Sequence, residues 1–114
     1  MGRAIRSNNS ENVGNITADD FVATTITETS SIVLKENVEP LADALSKIIS
    51  LNGVNYDRIS SGTREAGLIA EEVEKIIPEV VDSCGEYKSV SYSRLTAYLI
   101  EAVKRLKQDL DELK

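Results

Sequence analysis

The C-terminal stretch YSRLTAYLIEAVKRLKQDLDEL, residues 92–113, carries the strongest structural signal in this chain. Its apolar residues alternate in spacing between four and three, at Leu99, Val103, Leu106, Leu110 and Leu113. Tyr92 and Thr96 continue the same spacing toward the N-terminus. Such a heptad pattern is typical of a helix that packs against other helices along a narrow seam. The pattern predicts a coiled-coil helix over about residues 91–114.

The residues beside this seam are charged, and Glu101 and Arg105 have the spacing of an ion pair on a helix surface. Two interpretations follow. The helix could lie on its own domain, although helices that do so usually present a wider apolar face. It could instead pack against the same helix of other chains, and the narrow seam favours this second interpretation.

Composition excludes several classes of function. The chain has 114 residues, enough for one small domain, and its net charge of −6 disfavours binding to nucleic-acid phosphates. It contains no histidine, which removes the Ser-His and Cys-His catalytic pairs and the commonest zinc ligand. Cys84 is the only cysteine, so neither an intrachain disulfide nor a thiolate cluster can form. No apolar run reaches the roughly 20 residues that span a bilayer, and we predict no metal, cofactor, nucleic-acid or membrane partner.

Shorter elements are predicted upstream of the long helix. Pro40 suits the first turn of a helix that continues with apolar residues at helical spacing as far as the Asn52-Gly53 turn. A second helix is predicted after Gly67, with Pro78 at its end. Short strands are predicted at Val54–Ile59, Val80–Val81 and Tyr87–Val90, and a loop at Ser60–Thr63. Together with the C-terminal helix, these elements give an α+β fold.

The N-terminal part has a different composition. Residues 16–29 are rich in Thr, Val and Ile, which favour strands, and both faces of such a strand carry apolar residues. We expect residues 1–29 to form an extended, β-rich segment whose apolar side chains need neighbouring chains for burial. The sequence therefore predicts a division between residues 1–29 and a domain of residues 30–114.

Candidate chemistry lies at this division, in SSIVLK, residues 30–35. A serine hydroxyl is a weak nucleophile until a base takes its proton, and a lysine can be that base where burial disfavours its ammonium form. Ser30 and Ser31 are both candidate nucleophiles, Lys35 is the candidate base, and the apolar residues between them could exclude water. Taken alone, these residues also fit a linker serine beside a surface lysine.

Several sequence blocks together resemble a known family. Residues 30–38 (SSIVLKENV) are similar to the Ser-Asp-x-Arg-Leu-Lys-x-Asn-Ile block that opens the C-terminal intramolecular chaperone domain of phage endosialidases, tailspikes and tail fibres. Later blocks match this family in the same order: residues 40–45 (PLADAL), 51–57 (LNGVNYD), 64–73 (REAGLIAEEV), 77–81 (IPEVV) and 87–95 (YKSVSYSRL). The resemblance covers about residues 30–114.

This resemblance implies autoproteolysis. In the family the serine cuts the peptide bond on its own N-terminal side with the lysine as base, which carries over to Ser30, Lys35 and the Thr29–Ser30 bond. The chain would then be a single-turnover serine peptidase and a homotrimer, with the heptad seam as its interface and the attached fibre or tailspike chain as its partner. The trimer would register and fold the fibre chains in the host cytoplasm and then leave, while the fibre joins the virion tail.

Two positions depart from the family block. Ser31 stands where the family has Asp, which leaves two adjacent serines, and the spacing to Lys35 favours Ser30 as nucleophile. Val33 stands where the family has Arg, a charge that could orient the site. Three functions therefore compete: a self-cleaving trimeric chaperone, which we favour, a non-cleaving trimerisation module that stays on the fibre, and a receptor-binding tip. The few aromatic residues, four Tyr and one Phe, argue against the last.

Overall fold

The computed structural model describes residues 22–114, which fall into two units, one ending at Asn37 and one running from Val38 to Lys114. In the first unit, the regular structure within residues 22–37 is a single 3-10 turn, Ile32–Leu34. Residues 22–29 form no strand within this chain, so the β-rich segment stays a prediction that depends on neighbouring chains, and its remainder lies outside the described residues. A strand exists only where another strand pairs with it, and no described residue of this chain pairs with residues 22–29.

The second unit is α+β, as the sequence predicts. Its helices are α1 (Ala44–Ile49), α2 (Ala70–Ile76) and α3 (Tyr92–Glu112). Its strands are β1 (Val54–Asp57), β2 (Arg64–Gly67), β3 (Val81–Asp82) and β4 (Ser89–Val90). A second 3-10 turn, Pro78–Val80, connects α2 to β3. The strands form two small antiparallel sheets, β1 with β2 and β3 with β4.

Helix α1 begins later than the sequence predicts. Asp43, with φ 57°, lies in the left-handed region, so the helix starts only at Ala44 and Pro40 is not in its first turn. Asp is among the few residues other than glycine that tolerate this conformation. The helix ends at Ile49, before the Asn52-Gly53 turn, which agrees with the predicted end.

A hairpin occupies the region where the sequence predicts one strand, a loop and the approach to a helix. Strand β1 ends at Asp57 rather than Ile59, and it pairs along its whole length with β2, from Val54 opposite Gly67 to Asp57 opposite Arg64. Residues 64–67 contain no β-branched residue and only one apolar side chain, so their composition does not predict a strand. These residues form a strand because they pair with β1.

Helix α2 and the second sheet agree with the prediction in part. The helix follows Gly67 as expected but begins at Ala70, and Pro78 opens a 3-10 turn instead of simply ending the helix. The predicted strands around residues 80–81 and 87–90 are confirmed as shorter ones, β3 and β4.

The core lies between α3 and the shorter elements. Its buried members are Ala44, Val73, Ile77, Val80, Leu95, Tyr98 and Ala102. Helix α3 supplies the last three from one face, at spacings of three and four, and α1 and the second 3-10 turn pack against that face. The long C-terminal helix is therefore part of this small domain. None of the helices within residues 22–114 is both long and apolar enough to cross a bilayer.

Candidate functional site

The candidate site is built on the first 3-10 turn. Two backbone hydrogen bonds close this turn: the Leu34 N–H donates to the Ser31 carbonyl and the Lys35 N–H donates to the Ile32 carbonyl, both at 3.1 Å. Ser31 before the turn and Lys35 after it both have extended backbone. Because a 3-10 turn advances only about 2 Å per residue, it brings the residues on its two sides close together.

The turn brings Ser30 and Lys35 into contact. The Lys35 Nζ donates a hydrogen bond to the Ser30 Oγ at 2.7 Å. The neighbouring Ser31 uses its hydroxyl differently, since its Oγ accepts the Val33 N–H at 3.3 Å. The two serines that the sequence leaves as alternatives are thus in different environments, and Ser30 is the one in contact with the lysine. Which of them attacks a peptide bond stays a prediction.

A second serine–lysine pair with the same sequence spacing shows what a structural pair looks like. The Lys88 Nζ lies 3.3 Å from the Ser83 Oγ, but it also lies 2.9 Å from a carboxylate oxygen of Glu74. The hydrogen bond from Lys88 lowers the pKa of Glu74, with a further contribution from Ser83, so Lys88 is part of an ion pair with this carboxylate. The ion pairs formed within residues 22–114 do not include Lys35. Lys35 is therefore the better candidate base.

The apolar residues of the turn do not shield the site within this chain. Ile32, Val33 and Leu34 are 66%, 83% and 69% exposed, and both Ser30 and Lys35 are exposed. The expectation that these neighbours exclude water from the lysine is therefore wrong for the described residues taken alone. Three consecutive exposed apolar side chains instead form a surface that another molecule can cover.

Helix α3 combines the two interpretations that its sequence allows. Leu95, Tyr98 and Ala102 are buried on the chain's own domain. The predicted seam lies on an adjacent face and is 48% to 83% exposed, at Leu99, Val103, Leu106, Leu110 and Leu113. The helix therefore fills its own core with one face and leaves a second apolar face uncovered by residues 22–114.

Tyr92, at the start of the predicted seam, has a further role within the domain. Its side chain is 53% exposed, yet its hydroxyl accepts the Leu68 N–H at 3.0 Å. This contact ties the first turn of α3 to the end of β2. The seam spacing alone does not reveal it, because the two residues lie 24 positions apart.

A polar cluster on the core face also escapes sequence reasoning. The buried Tyr98 donates a hydrogen bond from its hydroxyl to the Glu79 carboxylate, and the Lys47 ammonium lies 5.7 Å from the centre of the Tyr98 ring. Burial, with the Glu79 contact second, raises the pKa of Tyr98 to about 12, while the hydrogen bond from Tyr98 lowers the pKa of Glu79. The cluster joins α1, α3 and the second 3-10 turn.

These features define a class: a small α+β domain with a serine–lysine turn on its N-terminal side and a long helix whose apolar seam is uncovered. Residues 30–82 match the family described as "Chaperone of endosialidase", and the match begins at Ser30. This match over residues 30–82 confirms the resemblance seen in the sequence blocks.

Individual proteins with similar sequences are phage tail fibre proteins. The chain is 36% identical over 94 residues to the Long tail fiber protein Gp37 of Enterobacteria phage K3, covering 74% of this chain and 8% of that protein. The same protein of phage T2 gives 36% identity over 94 residues, 74% of this chain and 7% of the relative. The Long tail fiber protein Gp37 of Enterobacteria phage M1 is 33% identical to this chain over 92 residues, which cover 71% of this chain and 37% of that protein. The chain thus spans less than a tenth of the length of the first two relatives.

Proposed function

We propose that this chain is the intramolecular chaperone of a phage tail fibre, that it works as a homotrimer, and that it releases itself by cutting the Thr29–Ser30 bond. The observation that carries this proposal is the 2.7 Å contact between Lys35 Nζ and Ser30 Oγ at the first residue of the family match. The similarity to long tail fibre proteins supports a fibre chain as the attached partner.

The chemistry needs only these two side chains and water. The Ser30 hydroxyl attacks the carbonyl carbon of Thr29 while the neutral Lys35 amine takes the hydroxyl proton. The C–N bond then breaks, the proton passes from Lys35 to the departing Ser30 nitrogen, and an ester joins Thr29 to the Ser30 Oγ. Water hydrolyses this ester to a Thr29 carboxylate and a fragment that begins at Ser30. Each chain reacts once.

Assembly is the proposed trigger for this reaction. A lysine must lose its proton before it can act as a base, and the exposed Lys35 instead donates to Ser30 in the described chain. Covering the apolar turn Ile32–Leu34 with another chain would remove water from around the ammonium and favour its neutral form. Cleavage would then follow trimer formation, so that release comes after registration.

The exposed seam of α3 supports the trimer. Leucine and valine at heptad positions are the side chains that coiled coils bury. In this chain they are exposed on α3, whose contacts with the core are made by other residues of the same helix, Leu95, Tyr98 and Ala102. Three chains joined at this helix start their fibre strands side by side. This lowers the entropic cost of long-range pairing between strands, which otherwise makes β structures fold slowly.

A trimerisation module that stays on the fibre is the second candidate. The exposure of Lys35 favours it, as does Val33 at the position where the family block has Arg. In that case the serine–lysine contact is an ordinary surface hydrogen bond. The fibre would keep residues 30–114 in the virion tail.

Incubating the purified chain over time and analysing it on a denaturing gel tests the proposal. We expect a C-terminal fragment whose mass places its first residue at Ser30. The Ser30→Ala variant should stay intact and fold normally, because one hydroxyl contributes only about 1 kcal/mol to stability. A wild-type chain that assembles as a trimer and is never cut would favour the retained module, and a fragment with a different first residue would contradict the assignment of Ser30.

A further inference from the structure

The contact between Ser30 and Lys35 depends on the turn between them. Five residues of extended chain would separate their Cα atoms by about 17 Å, well beyond the reach of a lysine side chain. The 3-10 turn Ile32–Leu34 shortens this path and allows the 2.7 Å contact. Whatever stabilises the turn therefore sets how often the lysine reaches the serine.

Ser31 holds this turn with both of its oxygen atoms. Its carbonyl accepts the Leu34 N–H at 3.1 Å, and its side-chain Oγ accepts the Val33 N–H at 3.3 Å. The first N–H groups of a helical turn have no carbonyl partner within the turn, and an N-cap hydroxyl satisfies one of them. Ser31 is the N-cap of the turn, with φ −72° and ψ 142°.

We propose that Ser31 is the positioning residue for the Ser30–Lys35 pair: its hydroxyl caps the turn that folds Lys35 back onto Ser30. The inference rests on the self-cleavage proposed above and gives the second serine a task other than attack. It also makes the rate of cleavage depend on a hydroxyl that takes no part in bond breaking.

The backbone of Ser31 allows a test with side chains of nearly equal shape. Its extended conformation suits β-branched residues, so both Thr and Val fit at this position. Threonine keeps a hydroxyl for the Val33 N–H, whereas valine replaces that hydroxyl with a methyl group. The variants Ser31→Thr and Ser31→Val therefore differ in the capping group and in little else.

The full chain and both variants are compared by the rate at which the fragment beginning at Ser30 appears, across a range of pH. We expect Ser31→Thr to cut at the wild-type rate and Ser31→Val to cut about fivefold more slowly, the factor typical of a lost N-cap. Both should give the same fragment and the same midpoint of the pH profile, because the base is unchanged. Amide exchange at Val33 should be faster in Ser31→Val.

Equal cleavage rates for the valine and threonine variants would overturn the proposal, whether both variants cut at the wild-type rate or both cut more slowly. Complete loss of cutting in Ser31→Val with normal Val33 exchange would also overturn it, because a capping role predicts partial activity. A wild-type chain that is never cut refutes the self-cleavage instead. In that case, NMR contacts between the Ser30 β and Lys35 ε protons decide the matter: weaker contacts in Ser31→Val than in Ser31→Thr support positioning, and equal contacts refute it.

Discussion

Gly67 and Tyr92 approach so closely that a β-carbon on Gly67 would lie 2.9 Å from the Tyr92 hydroxyl oxygen. The same hydroxyl accepts the Leu68 N–H, so it cannot move away without giving up a hydrogen bond. The end of the β1–β2 hairpin is thereby fastened to the first turn of α3. Glycine is needed here for space, since only glycine leaves room for the hydroxyl.

Gly67→Ala should destabilise the domain by about 1 kcal/mol, because the methyl group displaces the Tyr92 hydroxyl from the Leu68 N–H. Urea denaturation at a fixed protein concentration measures this change. The matched control is Gly53→Ala, since a β-carbon at Gly53 meets no atom within 4 Å. In the background of Tyr92→Phe, which removes the hydroxyl, the Gly67→Ala change should cost clearly less. An undiminished cost in that background would show that the hydroxyl is not the obstacle.

Tyr98 and Glu79 predict a stability that depends on pH. The folded-state pKa of Glu79 is lowered by the Tyr98 hydrogen bond, so this contribution is present above the unfolded carboxyl pKa and is lost as the pH falls. The pKa of Tyr98 is raised to about 12, so its contribution is present below pH 10 and is lost as the pH rises through about 12. The cluster stabilises the domain most between these limits.

Tyr98→Phe should therefore lower the free energy of unfolding by about 1 kcal/mol near neutral pH, a value kept small because Glu79 is exposed. The difference from wild type should shrink as the pH falls from the ordinary carboxyl range toward the lowered pKa of Glu79, because the carboxylate then takes up its proton. Urea denaturation followed by circular dichroism from pH 3.5 to 8 checks both statements. Tyr87→Phe, at an exposed tyrosine, is the control. A Tyr98→Phe difference that stays constant over this range would contradict the assignment to Glu79.

Lys35→Arg should abolish self-cleavage while leaving trimerisation unchanged. Arginine keeps the positive charge and can still donate to the Ser30 hydroxyl, but it does not lose its proton at usable pH. The gel assay with mass spectrometry reads this out. Lys88→Arg is the matched control, because Lys88 also contacts a serine five residues upstream but is paired with Glu74. Cleavage of the Lys35→Arg chain at the wild-type rate would eliminate Lys35 as the base.

What the sequence could predict depended on the range of the interactions involved. The heptad spacing predicted α3 to within two residues at each end, because a helix is stabilised by contacts between near neighbours. Strand β2 escaped prediction because residues 64–67 owe their conformation to pairing with β1, and α1 starts late because of the backbone at Asp43. The Tyr98–Glu79 hydrogen bond spans 19 positions and leaves no local pattern.

The serine–lysine site was also predictable from the sequence only in part. The spacing to Lys35 within the family block favoured Ser30 over Ser31 as the nucleophile. The contact with Lys35 is observed at Ser30, and the role of Ser30 as the nucleophile stays a prediction. The capping contact of Ser31 depends on the 3-10 turn Ile32–Leu34, and the apolar sequence of these three residues does not predict such a turn. Ser is, however, a preferred N-cap residue, so a Ser placed before a predicted turn is the signal that could have found it.

The uncovered seam of α3 gives the last prediction, which concerns assembly. Leu106 and Leu110 are about half exposed and are not members of the buried core, so replacing both by Asp should leave the domain folded. Two carboxylates per chain in the seam would repel one another and lose the burial of two leucines, each worth about 1.5–3 kcal/mol. We expect a threefold smaller mass by light scattering at micromolar concentration, with an unchanged helical content by circular dichroism.

The control carries the same charge change on the opposite side of the same helix. Ala97 and Gln108 are exposed and lie away from the seam, so replacing both by Asp should leave the trimer intact. If cleavage requires assembly, the seam variant should stay uncut while the control variant is cut normally. A seam variant that is monomeric and still cuts at the wild-type rate would separate release from assembly, because Ser30 and Lys35 would then react without a second chain to cover them. A seam variant that remains trimeric would show that another surface joins the chains.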